Sequence, residues 1–135
     1  MSDTNKPLPD VTDPVVAGYW AATRENRLTI SRCTNCQNAL WPPEEVCPVC
    51  LHTEFSWEDV QPTGTLWSYA VYYQALDPAF ADDLPYAVGL VELMDGFKMY
   101  GIMLGDIEKL EVGMRVTAVF DRVDDEVTFV RWQAI

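Results

Sequence analysis

Two pairs of cysteines, each spaced Cys-x-x-Cys, constrain this chain more than any other feature. Cys33 and Cys36 form the first pair, and Cys47 and Cys50 form the second after ten intervening residues. Each pair can turn back so that both sulfurs reach one ion, and a hairpin that joins the pairs gives a tetrahedral shell of four thiolates. Such a shell leaves no position for water, so the sequence predicts one structural metal ion. We expect zinc, with iron as the alternative occupant.

A redox dithiol or a pair of disulfides is the competing interpretation of these cysteines. A redox Cys-x-x-Cys usually stands at the start of a helix beside a strand, whereas Pro48 and strand-like segments surround the pairs here. Residues 1–10 lack the basic and apolar pattern of a signal peptide, and no apolar run approaches the roughly 20 residues of a membrane-spanning helix. We therefore expect a cytoplasmic protein with no membrane span, in which reduced thiols hold a metal.

Short strand patterns flank the cysteine pairs in the segment 27–60, which we expect to form a zinc ribbon. They lie at residues 28–30, 40–41 and 55–57. Glycine commonly follows the second cysteine of each turn in a ribbon, because it adopts a positive φ easily. Gln37 and Leu51 stand at those positions here, and we expect Asn38 to take the left-handed conformation at the first turn. The segment is too short to bury a sizeable core, so its folding should depend on the metal.

The residues before the ribbon are expected to form a flexible tail, 1–11, followed by a helix, 12–26. Asp13 can cap free backbone N–H groups, and Pro14 suits the first helical position. Large side chains share one face at helical spacing: Val16, Tyr19 and Trp20. The simplest expectation is that this face packs on the protein's own core. A partner surface or a ligand pocket is the alternative.

The segment 61–135 is expected to be all β. Apolar and β-branched runs predict five strands, at residues 65–73, 86–94, 97–104, 114–120 and 127–132. Asp95-Gly96 is typical of a tight hairpin turn between the second and third of these strands. The residues from 77 to 85 are expected to form a polar loop. Five strands in so short a segment predict a small closed or partly open barrel, such as an OB-fold.

The charge of the chain is strongly acidic. Nine lysines and arginines oppose 21 aspartates and glutamates, which gives a net charge of -12. A nucleic-acid-binding protein normally neutralises phosphates with a basic face. An OB-fold permits binding of single-stranded nucleic acid, and we keep this as the alternative function. The acidic net charge argues against it.

Catalysis by this chain alone is not indicated. The sequence contains one histidine, His52, and it lacks a Gly-x-Ser-x-Gly elbow, a phosphate-binding loop and a dinucleotide fingerprint. The four cysteines are assigned to metal, which removes the obvious nucleophiles. We therefore expect a non-catalytic protein.

The order of the motifs resembles a known family. Pro42-Pro43 lies between the cysteine pairs, and the motifs Gly-Thr-Leu-Trp-Ser-Tyr at 64–69, Pro-Tyr-Ala-Val-Gly-Leu-Val-Glu-Leu at 85–93 and Val-Gly-Met-Arg-Val at 112–116 follow. This order resembles the family first catalogued as domain of unknown function 35, described as zinc-ribbon OB-fold acyl-CoA-associated proteins. The resemblance runs from about Pro14 to Phe129. It implies a mainly β fold with an N-terminal helical segment, a rubredoxin-like zinc ribbon and a C-terminal five-stranded OB-fold barrel.

The resemblance also implies a role. Members act as small accessory subunits beside thiolase-like, hydroxymethylglutaryl-CoA-synthase-like or hydratase-like enzymes, where they position acyl-CoA or bridge two enzymes, in some cases in lipid or steroid metabolism. An acyl chain or a partner needs an apolar groove, and the phosphates of CoA need cations. The residues that we assign to this ligand or partner surface are Tyr19, Trp20, Arg24, Arg32 and Trp67.

Overall fold

A computed structural model describes residues 6–93 and 96–135 of the chain. It contains one α-helix and two antiparallel β-sheets. The first strand belongs to the smaller sheet, and two of its side chains pack into the core of the larger one. The helix α1 spans Ala17–Arg24, and the strands are β1 Leu28–Cys33, β2 Ala39–Leu40, β3 Phe55–Val60, β4 Thr63–Tyr72, β5 Tyr86–Leu93, β6 Lys98–Ile102, β7 Arg115–Arg122 and β8 Thr128–Ala134. The fold is therefore mainly β, as the sequence predicts.

The helix is shorter than the predicted segment 12–26. Asp13 does begin the turn that leads into it, because its carboxylate accepts the Val15 N–H at 3.0 Å and its carbonyl accepts the Ala17 N–H at 2.8 Å. The α-helix itself begins only at Ala17. Asn26 ends the helix with a φ of 60°, a conformation that asparagine tolerates better than most residues.

The smaller sheet has the strand order β2-β1-β3, and β1 ends at Cys33, the first of the four cysteines. Ser31 of β1 pairs with Leu40 on one side and with Trp57 on the other. The three short strands predicted around the cysteines are confirmed, and β1 and β3 are each longer than predicted. Gly18 lets α1 lie against this sheet, since a Cβ atom at that position would overlap the indole of Trp57.

The larger sheet has the order β6-β5-β4-β7-β8 and coils into a nearly closed barrel. Its two edge strands approach each other where the Leu104 N–H donates to the Trp132 carbonyl at 2.8 Å. The five-stranded OB-fold predicted from the sequence is thus confirmed. Gly96, with a φ of 85°, lies between β5 and β6 as the hairpin prediction requires. Residues 94 and 95, like the tail residues 1–5, lie outside the described part of the chain.

The loop predicted at 77–85 and the connection after β6 each contain a short 3-10 helix. The loop 77–85 holds one at Pro78–Asp83, and the connection after β6 holds another at Ile107–Lys109. An aspartate caps each of them: Asp77 accepts the Ala79 N–H at 2.9 Å, and Asp106 plays the same part in the second. Aspartate stabilises such turns by accepting a backbone N–H two residues on.

The main hydrophobic core lies inside the barrel, but it extends to the smaller sheet. Leu28 and Ile30 of β1 are buried in the same cluster as Leu66, Val116 and Trp132 of the barrel. A second, smaller cluster surrounds the cysteines and is described below. Within the described ranges, no helix combines the length and the apolar content that crossing a bilayer requires.

Candidate metal centre and apolar cleft

The four cysteines converge at one end of the smaller sheet. Their Sγ atoms all lie within 4.8 Å of one another. The Cys33–Cys50 and Cys36–Cys47 pairs are both 3.6 Å apart, sulfur to sulfur. A zinc–sulfur bond of about 2.3 Å in a tetrahedron places neighbouring sulfurs roughly 3.8 Å apart, whereas a disulfide bond is about 2.0 Å. The donor set and its spacing therefore fit one four-thiolate metal ion and exclude the disulfide interpretation for this structure.

Two similar turns present the sulfurs. We call them knuckle 1 (residues 32–37) and knuckle 2 (residues 46–51). Each closes with the same hydrogen bond, from the Gln37 N–H to the Cys33 carbonyl at 3.1 Å and from the Leu51 N–H to the Cys47 carbonyl at 2.9 Å. Gln37 and Leu51 then take φ values of 65° and 66°.

The expectation that Asn38 takes the left-handed conformation is therefore wrong. The closing hydrogen bond fixes the residue directly after the second cysteine, so the chain must turn at Gln37 itself. Gln37 and Leu51 accordingly adopt the conformation that glycine would adopt most easily.

Hydrogen bonds to the two sulfurs of knuckle 2, Cys47 and Cys50, favour the thiolate form that a metal needs. The Asn35 side chain and the His52 N–H lower the pKa of Cys50 to about 6. Burial acts against ionisation of Cys47, but the N–H groups of Cys50 and Val49 overcome it and lower the pKa of that thiol. Metal ligation requires deprotonated cysteine, so the backbone of knuckle 2 is arranged for it.

A large apolar cleft lies between α1, the turn after β2, and the outer face of the barrel. Its volume is about 1020 Å³. A continuous chain of aromatic rings forms one wall and joins all three parts of the molecule. Ring centroids are 4.8 Å apart from Trp41 to Tyr19, 5.0 Å from Tyr19 to Trp20, and 5.9 Å from Trp20 to Phe129. Burial raises the pKa of Tyr19 to about 12, so its hydroxyl stays protonated at physiological pH.

The 3-10 helix after β4 and the N-terminal segment also line the cleft. The Phe80 and Tyr86 rings lie 6.1 Å apart there, and the Lys6 ammonium lies 5.5 Å from the Phe80 ring centroid. Lys6 also forms a 2.6 Å salt bridge with Asp83. The N-terminal segment is thereby attached to one edge of the cleft.

The second cation of the cleft is Arg131 on β8. Its guanidinium lies 5.7 Å from the Phe129 ring centroid and forms a 2.6 Å salt bridge with Asp121. Since both lining cations are paired with carboxylates, the cleft is apolar and electrically near neutral.

The structure places the predicted surface residues in separate regions. Tyr19 and Trp20 line the cleft. Arg24 lies at the end of α1, where it donates to the Glu126 carbonyl at 2.9 Å, and Arg32 belongs to the ribbon, where it pairs with Glu58. Trp67 is 53% exposed on the outer face of β4. Among the described residues, Arg24, Arg32 and Trp67 are not part of the cleft.

Sequence reasoning missed several residues of the cleft. Phe129, Arg131, Tyr86 and Lys6 line it, and none of them was singled out as a site residue. One signal was present: Phe129 and Arg131 alternate with the inward Trp132 on β8, so a large aromatic lies on the outer face of a barrel strand. Such a residue needs a cover, which α1 provides.

The cysteine ribbon and the adjoining barrel define a zinc-ribbon OB-fold protein. Residues 20–56 match the family model "ChsH2, rubredoxin-like zinc ribbon domain", and residues 57–121 match "ChsH2, C-terminal OB-fold domain". The chain belongs to this family, the ChsH2 or DUF35 family. The resemblance noted in the sequence is thereby confirmed, and the four clustered cysteines are those of a rubredoxin-like zinc ribbon, placed so that they could hold one metal ion.

Curated relatives differ in length. A DUF35 domain-containing scaffold protein of Methanocaldococcus jannaschii is 31% identical over 117 residues, which cover 84% of this chain and 82% of that protein. A probable enoyl-CoA hydratase alpha subunit of Thermomonospora curvata is 36% identical over 115 residues, which cover 83% of this chain. The chain spans only 35% of the length of that second relative.

Solved structures share the fold. A chain of the Ltp2-ChsH2(DUF35) aldolase superposes with a TM-score of 0.82 at 30% identity, covering 93% of this chain and 98% of that one. A DUF35-family protein of Sulfolobus solfataricus superposes with a TM-score of 0.64 at 15% identity, covering 93% and 89% of the two chains.

Proposed function

We propose that this chain is a non-catalytic accessory subunit that positions acyl-CoA for a thiolase-like, hydroxymethylglutaryl-CoA-synthase-like or hydratase-like partner enzyme. The single observation that carries the proposal is the apolar cleft of about 1020 Å³ between helix, ribbon and barrel. Its described lining contains no cysteine, serine or histidine, which supports binding rather than nucleophilic chemistry. The names of the relatives, a scaffold protein, a hydratase subunit and an aldolase complex, support the class of partner.

The cleft suits the acyl end of the ligand better than its phosphates. Aromatic and aliphatic side chains line it, and its cations Lys6 and Arg131 are already paired with Asp83 and Asp121. A ligand pocket of this kind is mostly apolar with a few polar groups that fix orientation. We infer that the acyl chain lies in the cleft and that the partner enzyme supplies cations for the phosphates.

Nucleic-acid binding draws no comparable support. Lys98, which lies on the outer face of the barrel, is 3.7 Å from the Glu92 carboxylate and 4.9 Å from the Trp67 ring centroid. A protein of net charge -12 that pairs its cations in this way gives little of the phosphate neutralisation on which such affinity depends.

A fluorescence titration with octanoyl-CoA tests the proposal. Trp20 and Trp41 line the cleft, so a bound acyl chain should change their emission, whereas free CoA should change it much less. Trp20→Ala should weaken octanoyl-CoA binding about tenfold, since a central aromatic contact is removed. Trp67→Ala, on the far surface, is the matched control and should bind like the wild type.

The contrary result is equally clear. A chain that binds octanoyl-CoA neither alone nor with a thiolase-like or hydratase-like partner does not have this function. Tighter, salt-sensitive binding of a single-stranded oligonucleotide would favour the alternative.

For the metal centre, we propose that Cys33, Cys36, Cys47 and Cys50 hold zinc, which gives the ribbon its fold and takes no part in a reaction. Such thiolates need a reducing compartment, and we propose the cytoplasm. Elemental analysis of the purified protein should give one zinc per chain. A coloured, iron-containing protein would contradict the choice of metal.

A further inference from the structure

The two knuckles share the closing hydrogen bond and the positive φ of the last residue, but one carries polar side chains and the other apolar ones. Positions that correspond in the two turns carry Arg32 and Val46, Asn35 and Val49, and Gln37 and Leu51. Both turns place two cysteines toward the same site and end in a residue of positive φ. The backbone therefore does not explain why one turn is polar and the other apolar.

Knuckle 1 uses its polar side chains within the protein. The Arg32 guanidinium donates to the Gln37 carbonyl at 2.8 Å, the Gln37 amide donates to the Thr34 carbonyl at 3.3 Å, and the Asn35 side chain bonds to the sulfur of Cys50. These contacts help to hold the turn together. The polar side chains of knuckle 1 thus find their hydrogen-bond partners within the chain itself.

Knuckle 2 places apolar side chains in water instead. Val49 is 66% exposed and Leu51 is 73% exposed, and Val46 beside them is exposed as well. Leu51 also adopts a left-handed φ of 66°, which is unfavourable for a bulky residue. In the isolated chain, the leucine gains little burial to offset this strain. A strained, exposed apolar residue is a reason to look for a function outside the chain.

The charge around knuckle 2 is entirely acidic or neutral along the sequence. No lysine or arginine occurs between Arg32 and Lys98, an interval that holds ten acidic residues. Glu44, Glu45 and Glu54, which flank the knuckle in the chain, are all exposed. An apolar tip with an acidic rim fits an apolar hollow with a basic rim.

We infer that knuckle 2 is a docking tip for the partner enzyme, with Val49 and Leu51 entering an apolar hollow whose rim carries lysines or arginines. This inference rests on the proposed function, because it assumes a partner protein. A lipid surface is the poorer occupant: anionic membranes attract basic segments, and this tip is acidic.

The test rewrites knuckle 2 with the side chains of knuckle 1. The double variant Val49→Asn, Leu51→Gln keeps both cysteines and uses residues that the same backbone already accepts. Its binding to a purified thiolase-like protein from the same source is measured by calorimetry on the full-length, metal-loaded chain. We expect the dissociation constant to rise more than about tenfold, with one metal per chain and an unchanged melting temperature.

Two further variants sharpen the result. Val112→Asn removes a valine that is 67% exposed elsewhere, and it should leave binding within about twofold of the wild type, since surface changes away from an interface are near neutral. Glu44→Gln with Glu45→Gln should slow association and reduce its dependence on salt.

Each outcome decides something. If the wild type binds the thiolase-like protein and the knuckle 2 double variant binds equally well, the docking tip is wrong and the accessory function stands. If the wild type binds no thiolase-like, hydroxymethylglutaryl-CoA-synthase-like or hydratase-like protein from the same source at micromolar concentration, the proposed function fails and the docking tip fails with it. Capture of the wild type, but not the variant, by vesicles of phosphatidylcholine and phosphatidylglycerol would overturn the protein partner in favour of a membrane.

Discussion

The ribbon and the barrel are held together in different ways. The ribbon's own cluster consists of Cys33, Leu40 and Cys47, with Cys50 and Phe55 against it, so three of its five residues are cysteines. The barrel buries many large apolar side chains around the fully buried Trp132. Burial of apolar area stabilises in proportion to that area, and the ribbon has little of it. We therefore expect metal–thiolate bonds to stabilise the ribbon as hydrophobic packing stabilises the barrel.

Removing the metal is expected to have the largest effect, and to begin in the ribbon. Binding of structural zinc contributes about 10–16 kcal/mol in small metal-dependent folds, which exceeds what so small a cluster supplies. Cys47→Ser, or a strong chelator with wild-type protein, should leave the chain insoluble or much less stable. Circular dichroism during thermal unfolding, together with elemental analysis, measures this. An unchanged melting curve after complete metal removal would contradict it.

Opening a cavity in the barrel should come next. Trp132→Ala is expected to cost about 3–5 kcal/mol, as large-to-small changes of buried aromatics do, while the purified protein still carries one metal per chain. Urea unfolding gives the free energy. Trp67→Ala is the matched control on the same barrel and should cost about 1 kcal/mol or less, because its side chain is 53% exposed and the Lys98 ammonium lies over its ring. If both variants lost the same free energy of unfolding, burial of the side chain would not be what determines the stability of the barrel.

The contact between helix and ribbon should be sensitive to one methyl group. Gly18→Ala places a Cβ where the Trp57 indole lies, and overpacking of this kind costs roughly 1–3 kcal/mol. Alanine is otherwise more favourable than glycine in a helix by about 1 kcal/mol. A loss of stability would therefore point to the clash with the indole, and a gain would point to helix propensity.

A double-mutant cycle isolates that contact. In a Trp57→Ala background, Gly18→Ala should become neutral or stabilising. If Gly18→Ala destabilises both backgrounds equally, the indole is not the cause.

Relieving backbone strain in the knuckles should have the smallest effect. Leu51→Gly is expected to stabilise the isolated chain by about 0.5–1 kcal/mol, because glycine adopts positive φ without the cost that other residues meet. Gln37→Gly should gain less, since it removes the hydrogen bond to the Thr34 carbonyl. Thermal unfolding of the metal-loaded proteins compares the two. A larger gain at Gln37 would mean that the strain is not equal in the two turns.

Local patterns were enough to predict most of the fold. The Cys-x-x-Cys spacing predicted which four side chains come together, and alternating apolar residues located each strand of the described residues to within a few positions. These signals are reliable because a turn or a strand is determined largely by residues that are close together in the sequence. The turn at Gln37 was missed because a backbone hydrogen bond, which no side chain announces, decides where the chain reverses.

The cleft was only partly predictable for the opposite reason. Trp41 and Phe129 are 88 positions apart in the sequence, and they share a wall only because Tyr19 and Trp20 lie between them. Tyr19 and Trp20 could be proposed from their helical spacing. Arg24 and Arg32 were proposed from charge alone, and charge does not show which cations already have a carboxylate or carbonyl partner.

The strand β1 limits how family members can exchange parts. Its beginning, Leu28 and Ile30, belongs to the same buried cluster as the interior of the barrel, while its end, Cys33, belongs to the cysteine cluster. A chimera that takes residues 27–60 from one member and the remainder from another would insert two foreign side chains into a close-packed interior. We therefore expect recombination between members to succeed mainly where Leu28 and Ile30 come from the same member as the barrel. The ribbon boundary predicted from the sequence, before residue 27, is thus not the boundary at which these proteins should be joined.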